Sequence, residues 1–112
     1  MKFYHRLYLS EELVSKKMKI INKLEKNKLQ IEIYLIVLAK SPQNHLEIFN
    51  SVYLLQDKIE KDDLLIVGIT KDKQDAIQLV EKITQEVYDE TNGTDIKTYI
   101  LHKQQEYEEG NV

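Results

Sequence analysis

Cysteine is absent from this chain of 112 residues, and proline and arginine each occur once, as Pro42 and Arg6. Without cysteine the chain has no disulfide, no thiolate metal site and no cysteine nucleophile, which agrees with the cytoplasmic location that we expect. The N-terminus "MKFYHRLYLSEEL" lacks the unbroken apolar stretch of a signal peptide. The longest nearly apolar run, 33–39, is far shorter than the roughly 20 residues that span a bilayer, so we expect no membrane association.

The scarcity of arginine bears on the type of partner. Positive charge comes from 15 lysines and a single arginine. Arginine is the usual side chain for bidentate contacts with phosphates and base edges. Its near absence argues against sequence-specific binding of nucleic acid.

Charge is distributed unevenly along the chain. Residues 1–28 carry eight lysine or arginine residues and three glutamates, whereas residues 81–112 carry three lysines and eight acidic residues. Such asymmetry can mark a partner surface. The simpler interpretation is that the two ends neutralise each other, either within the fold or across a dimer.

The hydrophobic pattern predicts alternating strands and helices. Period-two alternation indicates strands and apolar residues at steps of three and four indicate amphipathic helices. We predict strands at 2–9, 29–39, 64–69 and 95–101, and helices at 11–27, 45–56 and 72–90. Two helix boundaries have specific signals, since Ser10 offers an N-cap and glycine in Asn92-Gly93 suits a left-handed C-terminal residue. Residues 45–56 could instead form a strand, because "IFNSVYLL" contains several β-formers.

This order, β-α-β-α-β-α-β, predicts one small α/β domain over 1–103, followed by a polar, acidic and frayed tail, 104–112. If 45–56 is a crossover helix, the four-stranded sheet is mostly parallel, in two or three layers. The alternative is the α+β ferredoxin-like βαββαβ arrangement, with a helical insertion between the second and third strands.

The segment "SPQNHLE" is a candidate ligand site because it holds Ser41, Asn44 and His45 after a predicted strand. Ligands of open α/β sheets lie beyond the carboxyl ends of the strands. Structural roles compete with this interpretation: Pro42 would end the strand, and Asn44 with Glu47 would form a partial capping box. No nucleophile-elbow pattern is present, so we favour a connector over a catalytic loop.

The segment "VGITKDK" is the second candidate, with Thr70, Lys71 and Lys73 at the start of a helix. The N-terminus of a helix attracts anions. The segment lacks a phosphate-loop pattern, however, and Asp72 would repel phosphate. If the strands are parallel, this joint, Ser10 and the Ser41–His45 loop converge on an anion or nucleotide site.

We expect neither a metal site nor a cofactor. His5, His45 and His102 lack the spacing of metal ligands, and the acidic residues lack the register of a calcium loop. His5 is expected to be partly buried beside Phe3, with which it shares a strand face. A polyanion could still bind Lys16, Lys19, Lys23 and Lys26 of the first helix, and this hypothesis predicts steeply salt-dependent binding.

The seven tyrosines provide the favoured functional signal. Tyr4, Arg6 and Tyr8 share the outer face of the first strand, and Tyr99 is expected on the corresponding face of the last. Tyrosine is enriched at interfaces. Our first hypothesis is therefore a small non-catalytic interaction or regulatory module that forms a homodimer through these residues, with a possible protein partner. The alternative is a small anion- or nucleotide-binding protein, possibly an enzyme, with its site at the strand-to-helix joints.

Overall fold

The computed structural model describes residues 1–110 and contains four strands and three α-helices. The strands are β1 (Lys2–Leu9), β2 (Tyr34–Leu38), β3 (Leu46–Asn50) and β4 (Leu65–Thr70). The α-helices are α1 (Lys17–Glu25), α2 (Lys73–Thr91) and α3 (Ile96–Glu108). Two 3₁₀ helices, Glu11–Lys16 and Ser51–Leu55, precede α1 and follow β3.

The four strands form one mixed sheet in the order β1-β4-β2-β3. β1 and β4 are parallel, whereas β2 is antiparallel to both β4 and β3. The expectation of a mostly parallel sheet is therefore wrong, although the coarser class, one small α/β domain with a four-stranded sheet, is confirmed. The ferredoxin-like alternative does not form either, because the chain segment predicted as the last strand is helical.

Residues 45–56 are the first reason for the difference. They are not a crossover helix: Leu46–Asn50 returns along β2 as an antiparallel strand, with Ile48 opposite Ile36. The side chain of Asn50 then accepts a hydrogen bond from the Val52 N–H and starts the second 3₁₀ helix. The predicted capping box of Asn44 and Glu47 is absent, since Glu47 is an exposed strand residue. A hairpin connection replaces a crossover and makes the two strands antiparallel.

Residues 95–101 are the second reason. Asp95 caps α3, since its carboxylate accepts a hydrogen bond of 3.1 Å from the Thr98 N–H. Ile96, Ile100 and Gln104 are buried at steps of four residues, a helical spacing. The short segment "DIKTYIL" fits both the two-residue period of a strand and the 3.6-residue period of a helix, and the N-cap at Asp95 favours the helix. The helix continues to Glu108, so residues 104–108 of the predicted tail are helical; residues 111–112 of that tail lie outside the described residues.

The sheet separates two apolar clusters and so forms the middle of three layers. On one side α1 and its preceding 3₁₀ helix pack Leu13, Ile20 and Leu24 against the sheet. On the other side α2 and α3 pack against the sheet residues Ile36 and Val67. Successive β2 residues enter opposite clusters, because strand side chains alternate. This explains why β2 and β4 are nearly continuous apolar runs.

The predicted helices 11–27 and 72–90 are confirmed, with refinements at their ends. The first begins as the 3₁₀ helix Glu11–Lys16, and α1 ends at Glu25; Asn27, two residues later, has a left-handed φ of 56°. Ala76, Ile83 and Val87 form the buried stripe of α2, as its spacing predicts. The left-handed residue after α2 is Asn92, with φ 59°, and not the neighbouring glycine. Asparagine tolerates this conformation better than most side chains.

Candidate functional site

The loop that contains Ser41 and His45 follows β2 and lies at one end of the strands, whereas the joints after β1 and β4 lie at the opposite end. β2 runs antiparallel to β4, so the end of β2 meets the start of β4. The loop contacts the start of α3: His45 Nδ1 accepts a hydrogen bond of 3.2 Å from the Lys97 N–H, and Lys97 Nζ donates to the Ser41 carbonyl at 3.0 Å. The three joints therefore do not converge, because the strands are not all parallel.

The polar side chains of this loop serve its own conformation. Ser41 Oγ donates a hydrogen bond of 2.6 Å to Gln43 Oε1 and accepts one from the Gln43 N–H. Asn44 donates its N–H to the Ser41 carbonyl and closes the turn. Within residues 1–110 no hydrogen bond joins Ser41 to His45. The loop connects two strands and covers a helix end, without pairing a nucleophile with a base.

The ends of β1 and β4 do meet, and Ser10 joins them. Ser10 is 4% exposed. Its Oγ accepts a hydrogen bond of 3.0 Å from the Lys71 N–H and donates one to the Asp75 carboxylate of α2. Thr70, also buried, donates its hydroxyl to the carbonyls of Tyr34 and Asp72. The prediction that Ser10 caps the following helix is wrong, because its side chain is used across the sheet instead.

At this joint the start of α2 and Lys71 are both engaged with the chain's own carboxylates. Asp72 caps α2 by accepting a hydrogen bond of 2.7 Å from the Asp75 N–H. Lys71 Nζ lies 2.8 Å from a carboxylate oxygen of Glu12. The hydrogen bond between these two side chains raises the pKa of Lys71 and lowers the pKa of Glu12. Lys73 is exposed at the first turn of α2.

The tyrosines of β1 lie beneath α2 and α3 rather than on an open face. Tyr4 is 2% exposed, and Tyr8 donates its hydroxyl at 2.7 Å to Glu86 of α2. Burial and this hydrogen bond raise the pKa of Tyr8. Tyr99 of α3 donates to Glu90 at 2.5 Å, and desolvation followed by this hydrogen bond raises the pKa of Tyr99 to about 12.

The expectation of an exposed aromatic face on β1 is thus wrong, because two helices cover that face. Of the four residues predicted for the interface, Arg6 alone is exposed, whereas Tyr8 and Tyr99 are partly buried and Tyr4 is buried. His5 is partly buried, as expected, but not beside Phe3: the pairing of β1 with β4 shifts register between Phe3 and Tyr8, and the His5 ring stacks on Tyr107 of α3 at 4.6 Å. Self-association itself stays a prediction.

Exposed apolar side chains are concentrated elsewhere, around α1. Among residues 1–110 the four most exposed large hydrophobic side chains are Met18, Ile31, Leu29 and Val14, at 69%, 65%, 60% and 58%. All four lie between residues 14 and 31. Isolated exposed apolar residues are common, whereas neighbouring ones point to an interaction surface; Leu29 and Ile31 line one groove.

A groove of about 590 Å³ runs between α1 and the segment 29–33, and we call it the basic groove. Its apolar lining combines the buried Leu13, Ile20 and Ile33 with the exposed Leu29 and Ile31. Its charged lining consists of Lys16, Lys19, Lys23, Lys71 and one carboxylate, Glu32. Lys26, which sequence reasoning grouped with these lysines, does not line it.

The lysines of the basic groove differ in their partners. Lys71 is paired with Glu12. In the described part of the chain, Lys16, Lys19 and Lys23 form no ion pair and no side-chain hydrogen bond. Three ammonium groups with free donors therefore border exposed apolar surface.

Charge of opposite sign lies on the two outer layers. Residues 11–28, which contain α1, carry six lysines and three glutamates; residues 73–109, which contain α2 and α3, carry four lysines and nine acidic residues. The sheet lies between them. One contact, Lys2 Nζ to Glu108 at 3.2 Å, links basic N-terminal and acidic C-terminal segments. The idea that the two ends neutralise each other within the fold is thus not supported by their placement.

A second cavity, of about 520 Å³, lies beside β3, and its lining does not favour a ligand of either charge. Its lining mixes both signs with apolar and aromatic side chains: Lys40, Lys58, Glu47, Glu60, Phe49 and Tyr53. Two ammonium and two carboxylate groups give it little net field. The basic groove is the more selective surface.

Sequence reasoning identified the lysines of the basic groove but not its apolar wall. Leu29, Ile31 and Ile33 alternate with polar residues, and this pattern assigned them to a strand. In the structure β2 begins only at Tyr34, which leaves Leu29 and Ile31 exposed in the loop before it. The alternation of apolar and polar residues does not by itself distinguish a strand from an exposed loop at 29–33.

Comparisons with protein-family models, curated proteins and solved structures find no match for this chain. Over residues 1–110, no helix is long and apolar enough to cross a membrane. The same residues contain no group of three or more histidine, aspartate or glutamate side chains placed to hold a metal ion.

Proposed function

We propose that this protein is a non-catalytic interaction module whose basic groove binds an acidic, partly apolar segment of a protein. The observation that carries the proposal is the combination in one groove of three unpaired lysines with exposed leucine and isoleucine side chains. Lysine ammonium groups attract carboxylates without demanding bidentate geometry. The apolar wall supplies the area that an acidic segment with leucine, isoleucine or tyrosine would cover.

The shape of the groove favours an amphipathic helix as the bound segment. One wall is α1 and the other is the loop 29–33, which leaves an open channel beside a helix. Amphipathic helices commonly lay their apolar face into such a groove, with contacts repeated every three or four residues. Lys16, at the end of the preceding 3₁₀ helix, and Lys19 and Lys23 of α1 follow this same spacing, so they can meet acidic residues one turn apart.

The expected affinity is modest. Covering Leu29 and Ile31 contributes about 1–2 kcal/mol each, and each exposed ion pair contributes up to about 1 kcal/mol. Association costs several kcal/mol in lost freedom. The net free energy corresponds to reversible binding with a dissociation constant in the micromolar range or higher. This suits a regulatory contact better than a permanent complex.

The alternative of a nucleotide site at the joints gains no support from this geometry. Asp72 already occupies the start of α2, and Lys71 is paired with Glu12. The Ser41–His45 loop lies at the opposite end of the strands from these two groups.

The test uses a fluorescein-labelled helical peptide of about 18 residues, with glutamates on one face and leucines on the other. Fluorescence anisotropy should detect binding to the wild type at 50 mM salt and weaker binding at 0.5 M. Lys19→Glu/Lys23→Glu should weaken binding at least tenfold. Lys17→Glu/Lys28→Glu is the matched control, because it makes the same charge change outside the groove; it should have less than a threefold effect.

Two results would contradict the proposal. Equal losses in both variants would show attraction by overall charge rather than by the groove. Binding to phosphatidylserine vesicles without binding to the peptide would assign the same lysines to a lipid surface instead.

A further inference from the structure

We infer that the basic groove binds the α2 surface of a second copy of this chain, in a head-to-tail manner. This inference rests on the proposed function and names the partner. It starts from the charges, because the layer that contains the groove is basic and the layer on the other side of the sheet is acidic. Each copy therefore presents one surface of each sign, on opposite sides.

The outer surface of α2 has the chemistry that the groove requires. Glu81, Gln85, Tyr88 and Asp89 are exposed, and Tyr88 is 50% exposed. We call these four residues the α2 stripe. Neither Glu81 nor Asp89 forms an ion pair in residues 1–110, and Asp89 accepts only a hydrogen bond from Gln85. The stripe is thus a helical surface with two carboxylates and one large aromatic side chain between them, and the exposed Lys82 borders it on one side.

The spacings of the two surfaces agree. Glu81 and Asp89 are eight residues apart on α2, about 12 Å along the axis. Lys16 and Lys23 are seven residues apart, about 10 Å along the helical segment. Two carboxylates of one copy can therefore face two ammonium groups of the next, while Tyr88 covers the wall formed by Leu29 and Ile31.

The same charges disfavour a symmetric dimer through the groove. A two-fold interface places identical patches against each other, so two basic layers would face one another. Like charges in direct opposition across an interface are unfavourable. A head-to-tail contact avoids this repulsion and leaves a free groove at one end and a free α2 stripe at the other. Such an assembly grows beyond two copies unless it closes into a ring.

The test measures mass by sedimentation velocity from 5 to 200 µM protein, at 50 mM and at 1 M salt. Wild type should exceed the dimer mass with rising concentration at low salt and return to the monomer mass of 13.3 kDa at high salt. The groove variant Lys19→Glu/Lys23→Glu and the stripe variant Glu81→Gln/Tyr88→Ala should each be monomeric. Their far-UV spectra and melting temperatures serve as the check on folding, and all four positions are exposed.

An equimolar mixture of the two variants gives the decisive result. The stripe variant keeps an intact groove and the groove variant keeps an intact stripe, so the mixture should form a 1:1 complex and grow no further. A wild type that stays monomeric at 200 µM overturns the inference, and the proposed function still stands if the acidic peptide binds. A wild type that stops at two copies, or a stripe variant that associates as well as wild type, also overturns it.

Discussion

The removal of one buried hydroxyl, by Ser10→Ala, tests how β1, β4 and α2 are joined. Ser10 Oγ is the acceptor for the Lys71 N–H and a donor to the Asp75 carboxylate. A hydrogen bond to a charged group contributes about 1.5–3 kcal/mol, and leaving a buried donor without its acceptor costs about 1–3 kcal/mol. Water can reach Asp75, which is only partly buried, and offsets part of the loss. We expect a destabilisation of about 2 kcal/mol.

The assay is urea denaturation followed by far-UV circular dichroism, together with thermal melts. A loss of about 2 kcal/mol lowers the melting temperature by roughly 8 °C or more for a domain of this size. Ser41→Ala is the matched control: the same atom is removed, but the Ser41 hydroxyl bonds only to Gln43 within an exposed turn. We expect its effect to stay within about 0.5 kcal/mol.

A double-mutant cycle then isolates the contact between Ser10 and Asp75. Residues in one hydrogen-bond network show coupling energies of about 0.5–3 kcal/mol. We therefore expect Asp75→Ala to cost less in the Ser10→Ala background than in wild type. Equal effects of Ser10→Ala and Ser41→Ala, or additive effects in the cycle, would refute the role assigned to Ser10.

Three further changes test other parts of the fold. Ile83→Ala empties a fully buried position of α2 and should cost about 2–5 kcal/mol in urea denaturation; a loss under 1 kcal/mol would contradict the packing described. His5 Nε2 is buried without a hydrogen-bond partner in the described residues. Phe loses the 3.3 Å contact of Nδ1 with Gln104 Oε1, but that oxygen keeps its 2.9 Å hydrogen bond from the His5 backbone N–H, and the stacking on Tyr107 can remain. His5→Phe should therefore leave the melting temperature unchanged or raise it, and a loss above about 1 kcal/mol would count against this. Hydrogen bonds from the Thr98 N–H and hydroxyl hold the pKa of Asp95 below its ordinary 3.8. That stability is present above pH 4 and is lost as pH falls through the lowered pKa, so Asp95→Asn, which can still cap α3, should flatten the dependence of the melting temperature on pH between 5 and 2.

Local patterns predicted the helices at 11–27 and 72–90 because these two have repeated apolar positions and definite ends. α2 repeats its apolar positions over five turns, and Asp72 at its start is one of the strongest N-cap types. β4 is equally clear, since all six of its residues are apolar, glycine or threonine and all are buried. Elements of this length carry enough repeats to fix their period without tertiary information.

Short segments failed because tertiary contacts decide them. Leu46–Asn50 has apolar residues that fit both periods, and its pairing with β2 selects the strand. Residues 96–101 alternate like a strand, but the hydrogen bond from Thr98 to Asp95 and the burial of Gln104 four residues past Ile100 select the helix. Because these two segments set the strand directions, both proposed topologies were wrong while the class was right.

The candidate site was likewise only partly predictable from the sequence. Its lysines were visible as one face of a clear helix, whereas the exposure of Leu29 and Ile31 depends on where β2 begins. The tyrosines show the opposite case: Tyr4 and Tyr8 were placed correctly on one face of β1, but the extra helix α3 that covers this face was predicted as a strand.

The position of β4 between β1 and β2 has a consequence for how the chain folds. The β2–β3 hairpin closes a short loop, whereas each pairing of β1 with β4 joins residues at least 60 positions apart. Such long loops close slowly, and the hairpin can form first. During synthesis β1 and β2 have no common neighbour until residues 65–70 have left the ribosome. A nascent chain that ends before Leu65 exposes the edges of both strands. The risk of aggregation is therefore greatest in that interval of translation.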